Sequence, residues 1–272
     1  MTKIRVAVFG AGGAMGATVC RAVVDDPSLE LACVLDPRLA GIDLGQATGI
    51  LGTGLFILGQ KEAMPVDHVD VAVDFTRADA AFDNALYCAN VGIHSVIGTT
   101  GLSSEQFDLI QNAFENSKSS CLIASNFAIG AVLMMKFASQ AAIFFDTAEI
   151  IELHHENKLD APSGTALSTA KRITESRGGE KFIDDKTTAE LPGARGNRFG
   201  AGVNIHSVRM RGMIAHQEVI FGTTGQTLSI RHDSYDRSSF MPGVLLAIKR
   251  IHTLGGLTMG LDILLDSVTS FE

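Results

Sequence analysis

The chain has 272 residues, of which 46% are hydrophobic and 19% charged, and its formal net charge is -8. This composition excludes a disordered chain, and the acidic balance speaks against nucleic acid, whose backbone calls for basic surface. The length lies near the upper size for one hydrophobic core and favours two domains.

The start, "MTKIRVAVFG", places Lys3 and Arg5 before an apolar run, but Gly10 ends that run too soon for a signal peptide. A strand is expected over 4–9, a helix from Ala14 to about Val24, and a second strand over 29–35. Between the first two lies "GAGGAMG", in which Gly10, Gly13 and Gly16 follow a strand and open a helix. Glycine lets the backbone approach a pyrophosphate, and the helix N-terminus stabilises its charge, so the turn points to a dinucleotide. Asp36 ends the second strand, 20 residues beyond Gly16, where a carboxylate accepts hydrogen bonds from an adenosine ribose. An acid there favours NADH, because two unit charges about 5 Å apart repel by roughly 3 kcal/mol at an effective dielectric of about 20. Arg38 can offset that repulsion, so NADPH stays open as well.

Further strands are expected over 69–75, 94–98 and 121–125, with helices from about Ala78 and near Ser103. Ser103 and Gln106 have capping-box spacing. Short buried strands separated by helices mean a parallel α/β sheet with right-handed crossovers, a Rossmann-type domain. "IGTTG" and "ASNFAIG" fall at the C-terminal ends of two of these strands, the edge where such sheets bind ligands. There Thr99, Thr100 and Asn126 offer amide and hydroxyl groups suited to a nicotinamide carboxamide.

The pattern changes near Asn126, which reads as a domain boundary. A helix is expected from about Gly130 to Phe145, a strand over 147–155, a helix over 163–176, and strands over 203–210, 215–221 and 226–232. This is a second, α+β domain with a mixed or antiparallel sheet. From Ser238 the pattern is helical again and can pack back on the first domain. The longest apolar stretch is broken by Lys136, Ser139 and Gln140, so no membrane span is expected. Cys20, Cys33, Cys88 and Cys121 each lie in apolar surroundings with no C-x-x-C pair, which reads as buried reduced thiols in a cytoplasmic protein.

"ELHHENKLDAPSGTA", from Glu152 to Ala166, concentrates proton-carrying side chains ahead of a helix start. His154 and His155 end a strand, so their side chains point to opposite faces. Lys158 follows one short turn later, and Pro162 to Thr165 reads as a helix N-terminus whose amides at Gly164 and Thr165 attract a carboxylate. Imidazole, ammonium and a carboxylate-binding turn suit the reduction of a polar acid with proton transfer. No complementary spacing supports a metal site.

At these residues the chain resembles the 4-hydroxy-tetrahydrodipicolinate reductase (dihydrodipicolinate reductase) family, in particular its bacterial, actinobacterial-like members. The resemblance rests on "GAGGAMG", "VDFT", "GTTG", "NFAIG" and above all "ELHHENKLDAPSGTA", with "LPGARG" and "FGTTGQTLSIRHDSYDR" in support. It implies a dinucleotide-binding domain from both chain ends (1–126 and 235–272) and a substrate-binding domain (127–234) that forms a homotetramer through its sheet. It also implies NADH- or NADPH-dependent reduction of a small cyclic dicarboxylate, with loss of water, in the diaminopimelate route to lysine. Position by position, His154 is the acid/base and Lys158 the proton donor, while His155, Gly164 and Thr165 contact substrate. Gly10, Ala11, Gly12, Gly13, Ala14, Met15, Asp36, Gly98, Thr99, Thr100, Ala124, Ser125, Asn126 and Phe127 line the cofactor. Where many members carry a basic residue in the glycine loop or after the strand-end acid, this chain has Gly12, Ala14 and Pro37.

Overall fold

A computed structural model describes residues 2–184 and 186–269, so the expected domain limits at 1 and 272 lie outside the described residues. The chain forms two compact units. One runs to Phe127 and resumes at Phe240, and the other is Ala128–Ser239. The crossings therefore fall after Phe127 and after Ser239, rather than after 126 and 234.

The first unit is built on β1 (Ile4–Phe9), β2 (Leu29–Leu35), β3 (Val71–Asp74), β4 (His94–Ile97) and β5 (Cys121–Ile123), with a closing strand Leu257–Met259 from the far end of the chain. Their order is Leu257–Met259, β5, β4, β3, β1, β2, and every pairing is parallel. All four residues of β3 are buried, as befits a parallel strand covered on both faces. Between the strands run α1 (Ala14–Asp25), α2 (Leu44–Thr48), α3 (Ala78–Val91) and α4 (Ser104–Glu115). On one face, Phe9, Leu35, Ile97 and Ile123 pack with Ala81, Ala85 and Cys88 of α3 and with Ile110 and Phe114 of α4. Fully burying a large apolar side chain contributes about 1.5–3 kcal/mol, so this layer is a main source of the unit's stability. The capping box at α4 forms as its spacing predicts, with Ser103 and Gln106 each bonding the other's backbone amide. All four cysteines are buried free thiols.

The segment between β2 and β3 departs from the sequence expectation, which has no element there. It contains α2, capped by the Asp43 side chain, and an isolated bridge between Leu35 and Leu58.

The second unit opens with α5 (Ile129–Ala141), which gives way to a 3-10 turn at Ala142–Phe144 instead of continuing to Phe145. Then come β6 (Thr147–His154), α6 (Gly164–Ser176), β7 (Asn197–Phe199), β8 (Val203–Arg209), β9 (Ala215–Thr223) and β10 (Gln226–Ser234). The sheet order is β10, β9, β6, β8, β7, with β6 and β8 parallel and the other pairs antiparallel. Side chains alternate along β6, so Ala148, Ile150 and Glu152 are buried on one face while Glu149, Ile151 and Leu153 lie half-buried on the other.

Candidate active site

In the first unit, the strand ends bring Gly10, Asp36, Gly98 and Ala124 to one edge of the sheet, because β1, β2, β4 and β5 all run in parallel. α1 starts at Ala14 with Gly13 as its N-cap, so Gly10 to Met15 form the turn and first residues of that helix. A side chain at Gly16 would put its Cβ 2.1 Å from the Gly10 carbonyl oxygen, which fixes the close packing of turn on helix. A Cβ at Gly12 would stand 2.2 Å from Leu39 Cδ1 and 2.9 Å from Asp36 Oδ2.

β2 ends at Leu35, and Asp36 caps the short turn that follows. Its side chain is buried. Oδ1 accepts from the Arg38 amide at 3.1 Å and from Arg38 Nε at 3.4 Å. Oδ2 is buried with no hydrogen-bond partner among the described residues. A buried acceptor without a donor is costly, so a hydroxyl-bearing ligand fits this place. The Arg38 side chain is itself 81% exposed. Beside Asp36 lies a cavity of about 430 Å³, lined by Gly10, Leu35, Pro37, Gln60, Lys61 and Asp83 among others. Residues 59–62 all line it, and nothing local in the sequence links them to the end of β2.

Thr99 is buried and its hydroxyl donates to the Thr76 carbonyl at 3.1 Å, so its side chain faces protein and leaves only its backbone for a ligand. Thr100 and Ser125 are exposed, whereas Ala124 and Phe127 are buried and Gly98 and Asn126 half-buried. The buried Asp74 shapes this edge. It accepts from the Thr76 amide at 2.8 Å, the Thr76 hydroxyl at 2.6 Å and Asn84 Nδ2 at 2.8 Å. Asp74 lies inside "VDFT", so the motif was visible while the residue's task was not.

In the second unit, β6 ends at His154. His155 is therefore the first residue of an exposed loop and not, as expected, a strand residue facing away from His154. Glu152 and His154 are two apart and share a face, and His154 Nδ1 lies 2.5 Å from Glu152 Oε2. The Glu152 side chain is fully buried. Arg209, at the end of β8, holds both of its oxygens, each at 2.8 Å, and the Ser163 amide donates to Oε1 at 3.2 Å. Burial alone would raise the Glu152 carboxyl, but hydrogen bonds from His154, Arg209 and Ser207 outweigh it and hold the group down to about 2.

The same network fixes the helix start. Ser163 caps α6 through its hydroxyl, which accepts from the Ala166 amide at 3.2 Å, so Gly164 and Thr165 form the first turn. Space is open around Gly164, where an added Cβ would meet nothing within 4 Å. Lys158 is half-buried and its Nζ donates to Asp160 Oδ1 at 2.8 Å, while the Asp160 carbonyl accepts from Arg209 at 2.6 Å. Taken singly, Glu152, Asp160 and Arg209 carry no functional signal in the sequence that sets them apart. The period-two spacing of Glu152 and His154 was a usable signal, but Arg209 enters only through the pairing of β8 with β6.

Residues 4–127 match the family model "Dihydrodipicolinate reductase, N-terminus" and residues 130–265 match "Dihydrodipicolinate reductase, C-terminus". The chain belongs to the dihydrodipicolinate reductase family. It is 47% identical to the 4-hydroxy-tetrahydrodipicolinate reductase of Corynebacterium urealyticum, covering 95% of this chain and 97% of that one. The reductase of that name from Mycobacterium marinum is also 47% identical, over 97% of this chain and 99% of its own. Among solved structures, dipicolinate-bound dihydrodipicolinate reductase from Paenisporosarcina sp. TG-14 superposes with a TM-score of 0.86. It is 42% identical and covers 96% of this chain and 99% of that chain. An amine dehydrogenase from Mycobacterium smegmatis, 14% identical with a TM-score of 0.68, shares the fold.

Proposed function

We infer that the chain catalyses the NADH- or NADPH-dependent reduction of 4-hydroxy-tetrahydrodipicolinate, with loss of water, to tetrahydrodipicolinate, a step toward lysine through diaminopimelate. The observation that carries this reading is the His154 ring held by a buried, ionised Glu152 that also ties down the start of α6. Family membership over nearly the whole chain and a relative that binds dipicolinate support it.

A bound reduced nicotinamide supplies the hydride. The chain's share is to hold that cofactor, orient the substrate and deliver a proton. The turn from Gly10 to Met15 takes the pyrophosphate, with Ala11, Gly12, Gly13 and Ala14 presenting backbone. The unpartnered Asp36 Oδ2 accepts from the adenosine ribose, and the adjoining cavity receives the base. Gly98, Thr99, Thr100, Ala124, Ser125, Asn126 and Phe127 line the nicotinamide end, Thr99 through its backbone.

The reduction takes up one hydride and one proton, and His154 and Lys158 are the groups that carry protons at the site. One substrate carboxylate sits at the first turn of α6, on the amides of Gly164 and Thr165, where the helix N-terminus favours an anion. The other lies toward His155 and Lys158. Any anion at this site depends on these local groups, because the chain as a whole is acidic.

The protein works as a homotetramer in the cytoplasm. The half-buried apolar side chains Ile151 and Leu153 on the second sheet face favour a partner chain, and the four buried free thiols suit a reducing compartment. Light scattering at micromolar concentration checks the assembly.

Pyridine-2,6-dicarboxylate tests the reading of the substrate. This flat diacid should compete with substrate, and pyridine-2-carboxylate should bind at least tenfold more weakly, since a charge-assisted hydrogen bond contributes about 1.5–3 kcal/mol. Equal inhibition by the two would remove the dicarboxylate site.

A further inference from the structure

The histidines of the second unit differ in how their ring nitrogens are engaged. His216 has both occupied: Nδ1 lies 2.6 Å from Asp233 Oδ1, and Nε2 accepts from the Ile214 amide at 3.2 Å. It is also buried, so its ring is fixed and closed to a ligand. His154 has one nitrogen engaged. Nδ1 meets Glu152 at 2.5 Å, while Nε2 has no hydrogen-bond partner among the described residues. The His154 side chain keeps 14% of its exposure, against none for Glu152.

The partners of Glu152 settle which nitrogen carries the proton. Both of its oxygens accept from Arg209, and one accepts in addition from the Ser163 amide. Two charge-assisted hydrogen bonds from Arg209 and one from the Ser163 amide hold Glu152 in its ionised form, and an ionised carboxylate only accepts. The short contact to Nδ1 therefore requires a proton on Nδ1 in both the neutral and the charged ring.

From this we propose that Glu152, braced by Arg209, is the positioning residue that keeps His154 protonated on Nδ1 and so leaves Nε2 to exchange the reaction's proton. The proposal rests on the role of His154 in the reductase reaction. Arg209 acts at one remove. It donates to each oxygen of Glu152 and, through the Asp160 carbonyl, ties the loop that carries Lys158 to the same strand end. The arrangement places the proton-delivering nitrogen without exposing the carboxylate to water.

Nitrogen-15 spectra of histidine-labelled full-length protein test this, with the His154 signals assigned by their loss in His154→Gln. The neutral His154 ring should show the Nδ1–H tautomer, with a downfield proton resonance for a short hydrogen bond. In Glu152→Gln that resonance should vanish and the tautomers should mix. Turnover should fall by about 10²–10⁴-fold through kcat while KM and cofactor affinity move little. Glu152→Asp, which keeps the carboxylate charge that Gln lacks, should restore part of the rate. An Nε2–H tautomer in the unmodified protein would overturn the proposal, even if Glu152→Gln fails to fold. So would a folded Glu152→Gln with an unchanged His154 spectrum. A fully active His154→Gln would overturn it by a separate route, through the catalytic reading on which it rests, whatever the tautomer.

Discussion

Lys249 Nζ lies 2.5 Å from the Asp26 carboxylate, joining two residues 223 positions apart. Asp26 follows α1, and Lys249 belongs to the helix Met241–Arg250, so within the first unit the pair ties the returning end of the chain to its opening segment. Burial pushes the Asp26 carboxyl up, but hydrogen bonds from Lys249 and Ser28 more than reverse this and bring it from 3.8 to about 2. A carboxyl with a folded value below its unfolded one stabilises fully above the unfolded value, and the effect is lost as pH falls toward the folded value. Asp26→Asn should therefore be less stable than the parent at pH 7, and the gap should close between about pH 4 and pH 2. Urea unfolding of both proteins across that range checks it, and parallel acid profiles would mean that the pair adds nothing.

At the second unit's site, His154→Gln or Lys158→Ala should lower kcat by about 10²–10⁴-fold, the usual value of positioned acid–base assistance. NADH affinity, read by fluorescence titration, should stay close to the parent's, because neither residue lies in the first unit. Near-normal turnover in the double variant would take this site out of the mechanism.

Cofactor choice should follow the end of β2. Asp36→Ala removes both the proposed ribose acceptor and the repulsion of a 2′-phosphate, so it should weaken NADH binding and shift preference toward NADPH. Arg38→Ala should shift it the other way. The quantity to compare is the ratio of kcat/KM for the two cofactors, and an unchanged ratio in both variants would place the ribose elsewhere.

Sequence revealed those parts of the fold whose cause is local. The capping box of α4 depends on two residues three apart, and the glycine turn on backbone sterics within one loop. The strands of the first sheet stand out because burial on both faces leaves continuous apolar runs such as "VAVD". The closing strand Leu257–Met259 and β7 do not stand out, being three residues long with too little pattern to separate them from loop. The chemical stretch is legible as a set of protonatable groups, while the grip on them is not. Glu152 meets Arg209 across 57 positions, by way of the register that sets His154 beside Arg209 on the neighbouring strand. Alternation along one strand says which residues share a face, and pairing between strands is decided by tertiary packing. The cavity beside Asp36 is hidden for a like reason, since Gln60 and Lys61 reach it only through the bridge of Leu35 to Leu58.

This chain passes a hydride from a reduced nicotinamide to a cyclic imine dicarboxylate. The most direct measurement follows the absorbance of NADH, and separately of NADPH, with purified protein in the presence and absence of freshly generated 4-hydroxy-tetrahydrodipicolinate. The absorbance should fall only when the substrate is present, mole for mole with tetrahydrodipicolinate formed. A protein that binds the reduced cofactor but leaves its absorbance unchanged with substrate present would be a nucleotide-sensing protein, and that result would contradict the reductase assignment.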